Sequence, residues 1–190
     1  MKMERLKMLK IMMLKMMSKV CLVVFINCLL TSSLFSQSGY SSQYYADGVM
    51  RSEGAMVNGL EEGEWRYYYP DGRLNAIFTF VHGTQEGVTT HYYPNGVKLS
   101  VENFKENKLE GSAVYYYDNK QIKKEGNYLG DQYTGEWKYF YESGELKRQG
   151  VYRYGLLHGE WLIYYESGQL DYKISYSNGK KNGAYIRYYE

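Results

Sequence analysis

A single unit of 24 residues recurs along most of this chain. The stretch Gly63–Gly72, reading GEWRYYYPDG, returns as Gly135–Gly144 (GEWKYFYESG) and as Gly159–Gly168 (GEWLIYYESG). Looser copies complete the series, and the units begin, without any insertion, at Gly39, Gly63, Gly87, Gly111, Gly135, Gly159 and Gly183. A fixed period in this range is typical of repeat architectures, in which each unit packs mainly against its neighbours. The sequence therefore predicts a repeat domain over residues 37–190.

Residues 1–36 differ from the repeats and predict a signal peptide. A basic stretch, Met1–Lys19, precedes the apolar run Val20–Leu30 and a short segment rich in small residues. This order is that of a secretory signal, and we expect cleavage near Gln37 and export to the periplasm, the outer envelope or the exterior. A retained membrane anchor is the alternative, but the apolar run is shorter than the roughly 20 residues that span a bilayer. Lipid modification of Cys28 is a further alternative.

The positive charge of the chain belongs to the leader. Residues 1–36 hold six of the 23 lysines and arginines and one of the 21 acids, so residues 37–190 carry 17 bases against 20 acids. This balance excludes a general electrostatic attraction to nucleic acid. Both cysteines, Cys21 and Cys28, also lie in the leader. An exported domain without cysteine needs no disulfide, which favours a bacterial envelope or exterior.

Each unit reads as one β-hairpin. Counting the first glycine of a unit as position zero, aromatic residues fill positions five and six, as in Tyr68 and Tyr69. Aromatic residues favour strands, and a turn such as Pro70–Gly72 follows them before a second apolar stretch. Seven first strands and six second strands predict an antiparallel sheet of 13 strands, on the order of 60 Å long at about 4.8 Å per strand. One turn departs from the pattern, because Lys120 replaces its glycine.

The pattern Gly-x-Trp-x-x-Tyr-Tyr, followed by a turn glycine and a Tyr-x-x-Gly-x-x-x-Gly tail, resembles the MORN repeat in its bacterial variant form. The best matches are Gly63–Gly83, Gly135–Gly155 and Gly159–Gly179, and the resemblance extends over Gly39–Glu190. It implies an all-β fold, an elongated antiparallel β-meander of hairpins. It also implies an interaction scaffold: some members are proposed to touch acidic phospholipids, and many bacterial relatives are labelled antitoxin components.

Candidate binding residues lie at position four. Positions two, five and six are expected to form the core, since position six is tyrosine in every unit. Position four varies from unit to unit, and variation in a repetitive row is where specificity can reside. We therefore predict that the binding residues are Tyr67, His91, Tyr115 and Tyr139.

Nothing in the sequence indicates catalysis, a metal site or a cofactor. His82, His91 and His158 fall at three different positions of the unit, so we expect them on solvated loops or faces. Glu64 and Glu136 recur beside tryptophan at whole-repeat spacing, too far apart for an acid–base pair. The basic residues Lys120, Lys123, Lys124, Lys180 and Lys181 alternate with acids and are interpreted as a solvated face.

The sequence as a whole predicts a non-catalytic, exported repeat scaffold that binds a protein partner. Three alternatives remain open at this point: binding of carbohydrate or cell wall through aromatic rows, binding of anionic lipid, and antitoxin-like inhibition of a toxin. Aromatic rings offer flat apolar surfaces with polar tips, which suits either protein or sugar. No nucleic-acid partner is expected.

Overall fold

A computed structural model describes residues 37–189, which form one open antiparallel sheet without a helix. The predicted signal peptide and both cysteines lie outside the described residues. Within residues 37–189 there is consequently no helix long and apolar enough to cross a membrane. The all-β prediction is confirmed.

The sheet contains fourteen strands, of which thirteen follow one another along the chain as neighbours. The strands are β1 (Ser38–Tyr44), β2 (Met50–Val57), β3 (Leu60–Tyr68), β4 (Leu74–Val81), β5 (Thr84–Gln85), β6 (Gly87–Tyr92), β7 (Lys98–Lys105), β8 (Lys108–Tyr116), β9 (Ile122–Leu129), β10 (Gln132–Phe140), β11 (Leu146–Arg153), β12 (Leu156–Tyr164), β13 (Leu170–Ser177) and β14 (Lys180–Arg187). The short β5 pairs with β4 alone, and the end of β6 (Thr90 and His91) also pairs with β4, so these two pieces share the role that one strand has in other units. The predicted meander of thirteen strands is thus confirmed, with one strand interrupted at Glu86.

Two kinds of turn connect the strands. Units are joined by two-residue loops such as Asn58 and Gly59, whose φ angles are 52° and 79°. Positive φ at both residues gives a type I′ turn, which matches the twist of the flanking strands. Within a unit the turn is longer, and in Tyr69–Arg73 the Asp71 carboxylate accepts a hydrogen bond from the Arg73 amide at 3.0 Å.

The turn that lacks glycine keeps the same geometry. Lys120 adopts a φ of 74°, and its amide donates to the Tyr117 carbonyl as the turn glycines do in other units. A left-handed conformation costs a residue with a Cβ atom about 1 kcal/mol. Asn119 contributes compensating bonds, since its side chain accepts from the Gln121 amide and donates to the Glu142 carbonyl.

The glycine at position zero is a bulge residue. Between β2 and β3 the pairing passes from Gly54 opposite Trp65 directly to Ala55 opposite Glu62, which leaves Gly63 and Glu64 unpaired on that side. Gly63 has a φ of 68°, the left-handed conformation that this type of bulge requires of its first residue. The positive φ recurs at Gly87, Gly111, Gly135, Gly159 and Gly183. From the second unit onward, the glycine at position zero therefore inserts one bulge per repeat.

The three tryptophans form the centre of the core. Trp65, Trp137 and Trp161 are at most 2% exposed, which confirms the expectation for position two in these units. Each ring lies against a glycine of the preceding strand. A Cβ atom added to Gly126 would lie 2.2 Å from the Trp137 ring. Equivalent contacts of 2.4 and 2.3 Å would arise at Gly54 and Gly150, so these glycines leave the space that the rings occupy.

The tyrosine at position six links each unit to the next. The hydroxyl of Tyr69 donates to the Tyr92 carbonyl at 2.7 Å, and that of Tyr141 donates to the Tyr164 carbonyl at 2.8 Å. The same bond recurs from Tyr45, Tyr93, Tyr117 and Tyr165 to position five of the following unit. These side chains are half-buried. A bond that every unit needs explains why position six does not vary.

Candidate functional site

The two sides of the sheet differ in chemistry. Side chains alternate across a strand, so positions two and four share one side, which we call the aromatic face. The bulge also brings position 22 of each unit to this side. Glu61, at position 22, pairs opposite Met56, at position 17, and position 17 belongs to the aromatic face. The rings of the aromatic face that contact one another are Trp65, Tyr67, Phe78, Phe80, His91, Tyr128, Tyr133, Trp137, Tyr139, Tyr152, Trp161, Tyr172 and Tyr185.

The opposite side, here called the polar face, carries ion pairs. Arg66 and Glu64 approach to 2.6 Å, and Lys173 and Glu160 to 2.7 Å. Both pairs are well exposed, and exposed pairs contribute little to stability. Position five also lies on this side, since Tyr68 donates to Glu53, the residue paired with Arg66. Position five was expected in the core, and Tyr68 is indeed half-buried, but its side chain lies on the polar face and not beside the tryptophans.

The densest part of the aromatic face surrounds Trp137. Its ring centroid lies 4.4 Å from that of Tyr133 and 5.2 Å from that of Tyr128, both edge to face. The Tyr133 ring stacks on Tyr152 at 4.9 Å. Such edge-to-face and stacked pairs are each worth about 0.5–1.5 kcal/mol beyond the area that they bury. The units from Gly111 to Gly159 thus share one continuous aromatic cluster.

The first two predicted binding residues lie together on the aromatic face. Tyr67 and His91 both contact Phe78 edge to face, with ring centroids at 5.0 and 5.4 Å. His91 is half-buried, and its Nε2 atom lies 3.7 Å from a carboxylate oxygen of Glu102. This position differs from the solvated one expected for the histidine, because His91 occupies the row that other units fill with tyrosine.

The other two predicted residues, Tyr115 and Tyr139, have cations over their rings. The Lys124 ammonium lies 4.0 Å from the Tyr115 centroid, and the Arg148 guanidinium lies 4.1 Å from the Tyr139 centroid. Burial, followed by a hydrogen bond to Tyr152, raises the pKa of Tyr139 above its ordinary value. Burial also raises the pKa of Tyr115, so both phenols stay neutral at physiological pH.

A basic groove of about 590 Å³ opens beside these rings. We define the basic groove by the residues Tyr117, Lys123, Lys124, Tyr139, Lys147 and Arg148. Lys123 and Lys147 are exposed, and their ammonium groups lie 5.4 and 4.9 Å from the centroids of the Tyr117 and Tyr141 rings. The pairing passes from Arg148 directly to Leu146, and in the preceding unit from Lys124 directly to Ile122, so a second bulge leaves Lys147 and Lys123 unpaired and interrupts the alternation there. Both rows of cations therefore line one depression, together with Phe140 and the aromatic-face residues Tyr139 and Ile163.

The four cations of the basic groove have no acidic partner. Within residues 37–189, none of Lys123, Lys124, Lys147 and Arg148 forms an ion pair. The Lys124 ammonium instead donates to the Tyr133 hydroxyl at 2.9 Å. The sequence places Glu125 next to Lys124, but alternation sends its side chain to the polar face, where it pairs opposite Lys138. Lys124 is half-buried among rings and is not part of a solvated face as expected.

The groove was not predicted from the sequence, although the period of the repeat contains a signal for it. Lys147 lies 24 residues after Lys123, and Arg148 lies 24 residues after Lys124. Residues one period apart occupy equivalent places two strands apart, about 10 Å from each other at the usual strand spacing. Comparing equivalent positions between units would have paired the two rows of cations.

Residues 37–189 contain no group of three or more histidine, cysteine, aspartate or glutamate side chains that could hold a metal ion. His82 lies on an exposed loop, where its Nδ1 atom is 3.1 Å from the Glu62 carboxylate. His158 is half-buried. The three histidines therefore lie at separate places in the fold.

A comparison with protein families identifies the repeats. The model of the MORN repeat variant matches five consecutive segments: 61–82, 85–106, 109–129, 133–154 and 157–178. The chain belongs to the MORN repeat variant family. The matched segments cover more than half of the chain and confirm the resemblance read from the sequence. MORN repeats are commonly protein- or membrane-interaction repeats and are generally not enzymes. No curated protein matches the chain significantly.

Proposed function

We propose that this MORN repeat protein is a non-catalytic scaffold, exported from the cell, that binds a protein partner through its aromatic face. The observation that supports the proposal is the contrast between the two sides of one sheet. The aromatic face presents tyrosine, arginine and lysine side chains around a depression, whereas the polar face carries self-paired charges. Tyrosine and arginine are among the residues that contribute most often to the binding energy of protein interfaces.

The position-four residues are proposed to act as the anchors of this interface. Tyr139 lines the basic groove, and its ring is held by Arg148 and by a 3.0 Å hydrogen bond with Tyr152. A side chain that is fixed before binding loses little conformational freedom when the partner arrives. Tyr67, His91 and Tyr115 occupy the equivalent place in other units, where their different neighbours would give each repeat its own preference.

The cations that lie over the tyrosine rings favour a protein partner over carbohydrate. Sugars stack on the open face of an aromatic ring, but cations lie over one face of Tyr115 and of Tyr139. A partner with carboxylates can use these cations and the apolar ring edges at the same time. The anionic membrane, the glycan and the toxin remain outcomes that the experiment below distinguishes.

Capture of the partner with matched variants tests the proposal. Mature chains covering residues 37–190 are immobilised as wild type, as Lys147→Glu/Arg148→Glu, and as Lys138→Glu on the polar face. Bound proteins from envelope and secreted fractions are identified by mass spectrometry. We expect at least one protein to bind wild type and Lys138→Glu but not the double variant. Thermal unfolding of all three chains serves as the folding control.

Two results would contradict the proposal. If no protein is captured while anionic vesicles or cell-wall glycans are retained, the partner is not a protein. If a protein is captured equally by all three chains, the aromatic face is not the binding surface. A captured toxin whose activity is inhibited would give the proposal a specific form, that of an antitoxin-like inhibitor.

A further inference from the structure

The basic groove has a repeat of its own. Lys123 and Lys147 occupy position 12 of consecutive units, and Lys124 and Arg148 occupy position 13. Equivalent residues lie two strands apart, about 10 Å at the usual strand spacing. The groove therefore presents two pairs of positive charges, displaced by this distance along the direction in which units succeed one another.

The positions of the inner cations are fixed before any ligand arrives. Lys124 lies between rings, 4.0 Å from the Tyr115 centroid and 5.2 Å from the Tyr133 centroid, and is bonded to the Tyr133 hydroxyl. Arg148 lies over Tyr139, with the Trp161 centroid 5.8 Å away. Because these charges have no carboxylate partner among the described residues, an incoming anion would not have to displace one.

A carboxylate close to one ring of the groove, that of Glu142, leaves the cations unpaired. Glu142 is close enough to Tyr117 to raise the pKa of that phenol, although burial is the larger cause. Glu142 nevertheless forms no ion pair with Lys123, Lys124, Lys147 or Arg148. Four cations thus face the groove without internal neutralisation, which requires an acidic ligand for charge complementarity.

We propose that the basic groove binds an acidic protein segment in the polyproline II conformation, with a carboxylate at every third residue. A polyproline II helix has three residues per turn and rises about 3.1 Å per residue. Every third side chain therefore returns to the same side after about 9 Å, which is close to the spacing of the two cation pairs. The proposal rests on the proposed function and names the kind of partner segment that the aromatic face would take.

The rings of the groove suit the same ligand. Polyproline II segments are recognised in grooves lined by aromatic side chains, since the preformed helix loses little entropy on binding. Tyr117 and Tyr139 come from consecutive units and line the groove together with the cations. Their hydroxyls are already bonded, to the Phe140 carbonyl and to the Tyr152 hydroxyl, which leaves ring edges for prolines between the carboxylates.

Peptide binding measured by fluorescence anisotropy tests this proposal. The probe is a labelled (Glu-Pro-Pro)4 peptide. A first control has glutamine for glutamate, and a second has the same composition with the four glutamates consecutive. We expect the (Glu-Pro-Pro)4 peptide to bind the mature chain with an affinity that falls as the salt concentration rises. Both control peptides should bind much more weakly. Equal binding of the peptide with consecutive glutamates would overturn the proposed spacing.

Variants at exposed positions locate the binding site. Lys123→Gln/Lys147→Gln removes two exposed cations of the groove and is expected to weaken peptide binding about tenfold, from the loss of two exposed charge pairs. Lys138→Gln, on the polar face, is the matched control and should leave the affinity unchanged. Equal losses in the two chains would overturn the assignment to the groove. Melting curves verify that each variant is folded.

Failure of this proposal is distinguishable from failure of the proposed function. If the chain captures a protein through its aromatic face but binds none of the three peptides, the ligand is not an acidic polyproline II segment, and the scaffold function stands. If the chain binds phosphatidylserine vesicles or polygalacturonate but no peptide, this proposal is overturned in favour of a lipid or a glycan.

Discussion

Replacement of Gly126 by alanine should disrupt the packing that holds two repeats together. The added Cβ atom would lie 2.2, 2.3 and 2.6 Å from Cδ2, Cε2 and Cγ of Trp137. Carbon atoms in contact prefer separations of about 3.5–4.0 Å, so one group has to move by more than 1 Å. The backbone of Gly126 has an ordinary φ, so the expected effect is steric and not conformational.

The tryptophan ring has little freedom to make room. Trp137 is 0% exposed, and its Nε1 atom donates to the Asn127 carbonyl at 3.0 Å. Overpacking of a core costs about 1–3 kcal/mol, and loss of the hydrogen bond would add about 1 kcal/mol. We therefore expect Gly126→Ala to lower the free energy of unfolding by about 3 kcal/mol. Gly39→Ala, in β1 with no atom within 4 Å of the added carbon, should change it by less than about 0.5 kcal/mol.

A double-mutant cycle isolates the contact. Trp137→Ala alone should cost about 3–5 kcal/mol, as large aromatic truncations do. Another unit already has an alanine where this unit has Trp137. That residue is Ala113, and the residue opposite it is Glu102 and not a glycine. In the Trp137→Ala background, Gly126→Ala should cost almost nothing, giving a coupling of about 2–3 kcal/mol by urea unfolding. An equal penalty with and without the tryptophan would refute the explanation that Gly126 exists to seat the ring.

Three further predictions concern the ladder, the pH dependence and the leader. Tyr141→Phe should destabilise the sheet by about 1 kcal/mol in urea unfolding, because it removes the donor to the Tyr164 carbonyl; no loss would mean that water replaces the bond. Burial and a hydrogen bond to Glu53 raise the pKa of Tyr68 to about 12. The folded state therefore favours the protonated phenol, and this stability, complete below pH 10, should be lost between about pH 10 and 12; Tyr68→Phe should reduce that loss, and an unchanged profile would count against it. Expression in a bacterium should yield a mature chain beginning near Gln37 by intact-mass spectrometry, whereas an intact Met1 in the cytosol would contradict export.

The period predicted the hairpins because every unit repeats the same local chemistry. Aromatic residues at positions five and six followed by a turn such as Pro70–Gly72 indicate a strand end, and the structure places one there. What the period could not predict was the role of each glycine. Gly63 inserts a bulge, Gly59 completes a type I′ turn and Gly54 makes room for Trp65. These roles depend on what lies across the sheet, which a glycine in a sequence does not reveal.

The candidate site was predicted in part for a similar reason. Position four was identified from its variation, and the structure places Tyr115 and Tyr139 on the aromatic face beside cations. The cations beside these tyrosines were not predicted. Lys124 and Arg148 are 24 residues apart in the sequence and become neighbours only in the folded sheet, two strands apart. The bulge also changes which residues share a side, so alternation counted from one strand start does not carry into the next unit.

Lysine labelling with and without the captured partner tests the central claim most directly. Amidination followed by mass spectrometry reports the accessibility of each lysine in the complex. If the partner binds the aromatic face, Lys123 and Lys147 should become protected, while Lys138 on the polar face should react as it does in the free chain. Protection of Lys138 with unchanged labelling of Lys123 and Lys147 would contradict the proposal that this protein binds through its aromatic face.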